Sequence, residues 1–140
     1  MSRTISVTRR FDATPEQVFD AWLDPKLAAK FLFATATGEI VKVEIDAKVG
    51  GGFLIVDKRP EVGEASHYGT YVEIDRPRRL VFDFAVEAGM KDATRVTVEI
   101  RPAGDGCELV LTHEGVWDDY AERTEAGWTM ILEGLERTLA

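Results

Sequence analysis

Cysteine, histidine and long apolar runs are all scarce in this sequence. One cysteine among 140 residues excludes an internal disulfide. Because Cys107 alternates with Leu109 and Leu111, we predict that it is a small buried apolar residue. The two histidines, without an HExxH or CxxC motif, fall short of the converging protein ligands that a catalytic zinc requires. The sequence therefore indicates no metal and no other cofactor.

Positive charge and membrane signals are also lacking. Lys and Arg number 17 against 25 Asp and Glu, which gives a net charge of −8 at pH 7. Nucleic-acid binding needs a clustered basic face, so we expect no nucleic-acid partner. No stretch approaches about 18 apolar residues, and the N-terminus has no apolar signal region. These absences predict a cytoplasmic protein without a membrane partner.

The composition is that of an ordinary globular protein, with 45% hydrophobic and 30% charged residues. A chain of this length buries roughly 68–70% of the surface that its unfolded form exposes, which is enough for one core. No internal repeat, linker or low-complexity stretch is visible. We therefore predict a single domain over residues 1–140.

The N-terminal region predicts a strand followed by two short helices. Residues 3–11 alternate in polarity and are rich in β-branched side chains, which is typical of a strand. Thr14 and Pro15, with Gln17 shortly after, form the pattern of a capped helix start. An Asp-Pro pair then interrupts this helix, and a second short helix is predicted over residues 26–30.

The rest of the chain predicts six strands and one long helix. Residues 31–37 show no clear period and are predicted to connect the two parts and lie over the opening of the sheet. The strands are predicted at residues 39–46, 51–59, 66–75, 79–87, 93–101 and 107–114. Short turns rich in Gly and Pro join them, so we predict an antiparallel meander. From Asp118 onward, apolar residues recur at steps of three and four, which predicts an amphipathic helix of about 22 residues.

Alternation within the strands predicts one apolar sheet face that meets the last helix. The side chains predicted on that face are Leu80, Phe82, Phe84, Val86, Thr94, Val96, Val98, Ile100, Cys107, Leu109, Leu111 and His113. The helix stripe predicted to cover it contains Tyr120, Thr124, Trp128, Ile131, Leu132, Leu135 and Leu139. On the strand at residues 66–75, alternation separates Tyr68 and Thr70 from His67, and we predict that only His113 of the two histidines is inside.

Several short motifs occur in order along nearly the whole chain. They are Ala13-x-Pro15-x-x-Val18-Phe19-x-Ala21-Trp22 with Asp24-Pro25, Gly50-Gly51-Gly52-Phe53, Tyr68-Gly69-x-Tyr71 with Glu73-Ile74, Pro77-x-Arg79-Leu80-x-Phe82, Thr112-His113-x-Gly115 and Gly127-Trp128-x-x-x-Leu132-x-x-Leu135. With these motifs, the chain resembles the START-like (SRPBCC) superfamily and, more narrowly, the family related to the activator of Hsp90 ATPase (AHSA1-like). The resemblance implies an α+β helix-grip fold. In that fold, a curved antiparallel sheet of about seven strands wraps a long C-terminal helix, and two short helices follow the first strand.

The resemblance also implies a range of functions. Members of the superfamily carry lipids and other hydrophobic ligands, act as aromatase/cyclases on polyketides or, in the eukaryotic co-chaperone, contact Hsp90. We therefore expect a small hydrophobic molecule in a cavity between the sheet and the C-terminal helix. A polyketide cyclase/dehydratase-like enzyme and an Hsp90-type chaperone-interacting module are the alternatives. The START-like unit begins at the first residues, without the separate N-terminal domain of the co-chaperone, which counts against chaperone activation.

The residues predicted to line such a cavity are Tyr68, Thr70, Phe82, Phe84, Leu111, His113, Trp128 and Leu132. For the aromatic members, the alternative is a filled core, and the Tyr68 and Thr70 hydroxyls could instead satisfy each other. His113 is the titratable candidate, either as an acid/base group or as a structural histidine bonded to the backbone. No GxSxG motif, Ser-His-Asp order or paired carboxylates are visible, so we assign no catalytic residue and do not favour an enzyme.

Overall fold

Seven antiparallel strands form one curved sheet in the computed structural model, which describes residues 2–34 and 37–140. The strands are β1 (Ser2–Phe11), β2 (Glu39–Ile45), β3 (Gly52–Arg59), β4 (Gly63–Asp75), β5 (Arg79–Ala85), β6 (Thr94–Ala103) and β7 (Gly106–Trp117). Their order across the sheet is β1-β7-β6-β5-β4-β3-β2. The helices are α1 (Pro15–Leu23), α2 (Pro25–Phe31) and α3 (Ala121–Leu139). This arrangement confirms the predicted α+β helix-grip fold.

Local capping chemistry sets the starts of the two short helices. The Thr14 hydroxyl accepts a hydrogen bond from the Gln17 backbone N–H at 3.1 Å, and the Gln17 side-chain oxygen accepts from the Thr14 N–H at 2.9 Å. This reciprocal pair is a capping box, and Pro15 is preorganised for the first helical position. Asp24 caps α2 by accepting from the Lys26 N–H at 2.9 Å. The predicted helix pair is therefore confirmed.

The structure corrects several predicted element ends. β4 begins at Gly63, since its pairing with β3 continues to Arg59, and β7 continues to Trp117, where it pairs with the start of β1. β5 ends at Ala85, so Val86 lies beyond the strand and is 63% exposed instead of inside. Residues 118–120 form a 3₁₀ turn before α3, which leaves Tyr120 outside the helix and exposed. Thr35 and Ala36, in the predicted connecting segment, lie outside the described residues, as does Met1.

The centre of the space between the sheet and α3 is a filled core. Phe82 on β5 and Leu111 on β7 are buried there with Leu132 and Leu135 of α3, all with at most 1% exposure. Close packing of such side chains leaves no room for a ligand at the middle of the helix. The predicted apolar sheet face is thus real, but its central part is occupied by the protein itself.

The face assignment of β4 is the main correction inside the sheet. His67 pairs with Ile55 and Gly69 pairs with Phe53, and both partners are buried on the face that α3 covers. Residues opposite one another on antiparallel strands share a face, so His67 lies inside and Tyr68 and Thr70 lie on the other face. Both histidines are therefore inside, contrary to the prediction.

Gly69 explains how this part of the sheet packs. A methyl group at Gly69 would overlap the ring of Phe53, so only glycine lets that ring lie flat across β4. The ring of Phe53 then contacts Phe82 edge-on, with centroids 5.2 Å apart.

Of the helices in the described part of the chain, none combines the length and apolar character needed to cross a bilayer.

Candidate functional site

An open groove lies beside the filled core, between the sheet and the first half of α3. Its volume is about 360 Å³. Strands β4, β5 and β7 supply one wall, α3 supplies the other, and Phe33 reaches in from the chain after α2. The lining residues are Phe33, His67, Phe84, Val86, His113, Arg123, Thr124, Gly127, Trp128 and Ile131. This surface is what we call the groove.

One wall of the groove is a flat surface formed by His67 and Phe84, which we call the ring platform. The two rings lie on neighbouring strands with centroids 6.1 Å apart and planes only 12° apart. Phe33 stacks on both of them, with its centroid 4.3 Å from His67 and 5.2 Å from Phe84. Trp128 contacts Phe33 from the helix side at 5.7 Å. The groove is thus lined by aromatic rings that stack on one another, which makes this part of its wall apolar and rigid.

Phe33 adopts an unusual backbone conformation in order to reach this position. Its φ angle is +59°, in the left-handed region that side chains with a Cβ rarely adopt. Such strain costs of order 1–3 kcal/mol and persists only where the surroundings compensate for it. Here the ring stacking and the burial of Phe33 supply that compensation. The prediction that the segment at residues 31–37 lies over the opening therefore holds for Phe33.

His113 is held by two side chains, one at each ring nitrogen. The Trp128 indole N–H donates to His113 Nδ1 at 2.9 Å, and His113 Nε2 lies 2.7 Å from the Thr94 hydroxyl oxygen. Because an indole nitrogen only donates, Nδ1 must be unprotonated and Nε2 must carry the proton that it donates to Thr94. The Thr94 hydroxyl can then donate to the Phe84 carbonyl oxygen, 3.5 Å away. This chain of donors is complete only while His113 is neutral.

The environment of His113 also favours its neutral form. Burial lowers the pKa of His113 from 6.5 to about 4, because the charged form would lose its hydration. A protonated ring would in addition point an N–H at the indole N–H of Trp128. His113 is therefore a structural histidine, bonded to side chains instead of the predicted backbone group, and it has no nitrogen left for proton transfer.

His67 is arranged differently. Its Nδ1–H donates to the Ile55 carbonyl oxygen at 3.1 Å, which leaves the lone pair on Nε2. Burial lowers the pKa of His67, while the hydrogen bond to Ile55 and the nearby Asp57 carboxylate act in the opposite direction. Nε2 has no hydrogen-bond partner among the residues that the structure describes. His67 is thus the histidine that could accept a hydrogen bond from a molecule in the groove.

The groove includes only part of the predicted site. Phe84, His113 and Trp128 line it together. Phe82, Leu111 and Leu132 lie in the filled core, as the alternative interpretation proposed for the aromatic residues. Tyr68 and Thr70 are on the opposite face of the sheet, because the alternation in β4 places His67 inside.

Other lining residues were missed by the sequence-based prediction. Thr124 and Ile131 belong to the helical stripe that the sequence does show. His67 could have been found only by knowing which face of β4 meets Ile55. No local sequence pattern indicates that Phe33 turns inward through a left-handed backbone.

The structure contains other depressions, but their chemistry is less suited to a small molecule. One of about 440 Å³ lies near Arg78 and Arg79, and both guanidinium groups are already paired, at 2.9 Å with Asp75 and 3.0 Å with Glu99. Another of about 520 Å³ lies along the sheet edge beside Glu44 and Asp46.

Within residues 2–34 and 37–140, no group of three or more His, Cys, Asp or Glu side chains is placed to hold a metal ion.

Comparisons with known proteins agree with the fold. Protein CV1439 from Chromobacterium violaceum is 28% identical, with a TM-score of 0.85 over 96% of this chain and 94% of that one. CalU16 from Micromonospora echinospora is 27% identical, with a TM-score of 0.74 over 99% and 77%. The AHSA1-like protein from Aeromonas hydrophila, at 23% identity, shares the fold with a TM-score of 0.85 over 98% and 92%.

A search of curated proteins finds no match. The model of the family described as "Activator of Hsp90 ATPase homolog 1-like protein" matches residues 12–140, nearly the whole chain. That coverage includes α1, α2, six of the seven strands and α3, so the match extends over both walls of the groove. The chain belongs to this family of proteins similar to the activator of Hsp90 ATPase homologue 1, within the START-like superfamily.

Proposed function

We propose that this protein binds a small, largely apolar molecule in the groove. The observation that carries the proposal is a concave space of about 360 Å³ whose walls are aromatic rings with a few polar groups among them. Small-molecule sites typically have volumes of about 300–1,000 Å³ and this kind of lining. The groove is at the lower end of that range, which favours a ligand of modest size.

The position of the site differs from the cavity that the sequence predicted. The middle of α3 is closed against Phe82 and Leu111, so a ligand would bind beside Trp128, near the start of the helix. The polar atoms available there are the Thr124 hydroxyl, His67 Nε2 and the Arg123 guanidinium. They are few and lie among apolar walls, as in a site that orients one ligand.

Gly127 offers a direct test, because it lines the groove and a Cβ at this position would meet no atom within 4 Å. The Gly127→Leu variant should place a branched side chain in the groove, its Cβ has room, and leucine is a better helix former than glycine. Ala126→Leu is the matched control, since Ala126 is exposed on the same helix. Thermal shift and native mass spectrometry against a panel of fatty acids, flavonoids and polyketide-like aromatics would measure binding.

We expect at least one compound to bind wild-type protein and the Ala126→Leu variant, and to lose binding to the Gly127→Leu variant. If nothing in the panel binds the wild type, the proposed function is wrong. If a compound binds Gly127→Leu as strongly as wild type, the groove is not the site.

A second candidate is an enzyme that moves a proton within the groove. Its support is His67 Nε2, which carries a lone pair and lines the same space, whereas both nitrogens of His113 are bonded. A general base must be within hydrogen-bond reach of its proton, and His67 meets that need for a groove-bound substrate.

Polyketide-like compounds incubated with the protein would be analysed by mass spectrometry for loss of water or ring closure. Turnover that survives in His67→Gln would refute this role, and turnover lost there but retained in His113→Gln would support it.

A further inference from the structure

Arg123 is the charged side chain at the groove, and its surroundings are unusual for this protein. It lies in the first turn of α3, where the helix dipole disfavours a cation. Its guanidinium is 5.3 Å from the centroid of the Tyr120 ring, which gives it one defined neighbour. Arg123 therefore lies at the groove in a position where the helix dipole opposes its charge.

The other arginines of the described chain, apart from Arg137, each form an ion pair with an Asp or Glu side chain. Arg137 is in the last turn of α3, where the helix dipole favours a cation. Among the described residues, Arg123 has neither an ion pair nor a favourable position in the helix dipole. This is unexpected because the chain has more carboxylates than cations, with a net charge of −8. An acidic protein with so many carboxylates has kept one guanidinium unpaired beside its apolar groove.

We infer that the groove takes a flat aromatic molecule that carries one carboxylate, with its ring against the aromatic walls and its carboxylate on Arg123. This inference rests on the proposed function and adds the class of ligand. Five of the ten residues that line the groove carry aromatic rings, and aromatic side chains pack well against the ring of a ligand. The fork of an arginine side chain matches the two oxygens of a carboxylate.

The charge of the protein argues for a monoanion over a phosphate. A single guanidinium balances one negative charge, and the excess of Asp and Glu elsewhere would repel a dianion more strongly. The carboxylate of the ligand would bind where Arg123 is exposed. Water and salt partly screen the attraction between the carboxylate and the guanidinium at such a position. The effect on affinity is therefore moderate and depends on ionic strength.

The test compares naphthalene carboxylate with naphthalene carboxamide, which has nearly the same shape and no charge. Each is titrated into wild-type protein, Arg123→Gln and the matched control Arg137→Gln, which loses the same charge from the far end of the same helix. The indole N–H resonance of Trp128 reports groove binding by NMR, and that of the core residue Trp22 is the internal reference.

For wild type and Arg137→Gln, we expect the carboxylate to bind about fivefold more tightly than the carboxamide, with the preference lost in high salt. In Arg123→Gln, the two compounds should bind equally, at the affinity of the carboxamide. Equal binding of both compounds to the wild type would overturn the inference and leave the proposed groove intact. Failure of both compounds to shift Trp128 would overturn the aromatic ligand class, and the wider panel with Gly127→Leu would then decide the proposed function separately.

Discussion

The two halves of α3 cover the same sheet with opposite results. Toward its C-terminus, Leu132 and Leu135 are buried in one core cluster with Phe82 and Leu111. The depression beyond them, beside Glu136 and Leu139, holds only about 160 Å³. Toward its N-terminus, the helix stands over the ring platform, and Gly127 has empty space where a side chain would be. The same helix thus has a closed end and an open end, which differ in the side chains that the helix itself contributes, Leu132 and Leu135 at one end and Gly127 at the other.

The closed end is stabilised by apolar packing, whereas the open end depends on ring stacking and on the bonded histidine His113. At the open end, the left-handed backbone of Phe33 costs stability, and Arg123 has no ion pair among the described residues and lies where the helix dipole opposes its charge. Such local costs are typical of functional sites. Four predictions test this contrast.

Trp128 lies at the junction of the two ends and should give the largest effect. Trp128→Ala is expected to lower the free energy of unfolding by about 3–5 kcal/mol, because it removes a buried aromatic ring and leaves His113 Nδ1 without its donor. Urea unfolding measures the loss. Trp117→Ala is the control, since Trp117 is 62% exposed and should change stability by under about 0.5 kcal/mol. A loss below about 1 kcal/mol for Trp128→Ala would contradict the described packing.

Leu132→Ala tests the closed end. This side chain is fully buried, so its truncation should cost about 2–5 kcal/mol through lost burial and a new cavity. Thr124→Ala, two turns earlier at the open end, should stay within about 0.5 kcal/mol. Chemical denaturation of the two variants compares the ends directly. Similar costs at both positions would remove the distinction between them.

His113 predicts a loss of stability in acid. Its pKa is 6.5 when unfolded and about 4 when folded, so the unfolded chain binds a proton more readily between these values. The stabilisation is therefore complete above pH 6.5 and falls as the pH drops to about 4, by about 3 kcal/mol in total.

His113→Gln is the matching variant, because an amide can still accept from Trp128 and donate to Thr94 but does not titrate. Unfolding free energies at about pH 7 and about pH 4 should show an acid loss roughly 3 kcal/mol smaller in the variant than in wild type. His67→Gln removes the second, partly buried histidine as a comparison. An identical acid loss in wild type and His113→Gln would show that His113 is not the group responsible.

Phe33 gives the smallest effect and tests the strain at the open end. Both Phe33→Ala and Phe33→Gly lose the stacked ring, but only glycine tolerates a φ of +59° without strain. We expect the glycine variant to be about 1 kcal/mol more stable than the alanine variant by thermal unfolding. At Phe84, inside β5, the usual order should return, with alanine more stable than glycine. Alanine equal to or better than glycine at position 33 would argue against the left-handed backbone.

Much of the fold could be predicted because its signals are local. The Thr14 capping box, the turns between strands and the helical stripe through Trp128 depend on neighbours a few residues apart. The site was only partly predictable. Alternation correctly separated Tyr68 from His67, but which of the two is inside depends on Ile55 and Phe53 of the neighbouring strand.

By itself, the sequence determined the family, the order of strands and helices, and the apolar faces of β7 and α3 around Leu111 and Leu132, because periodicity and capping are short-range properties. Only the tertiary structure decided that the central part of those faces is closed and that a groove opens beside it. It did so by bringing Phe33, His67 and Arg123 together from distant parts of the chain. Volume and hydrogen-bond partners depend on such long-range contacts, which no local pattern encodes.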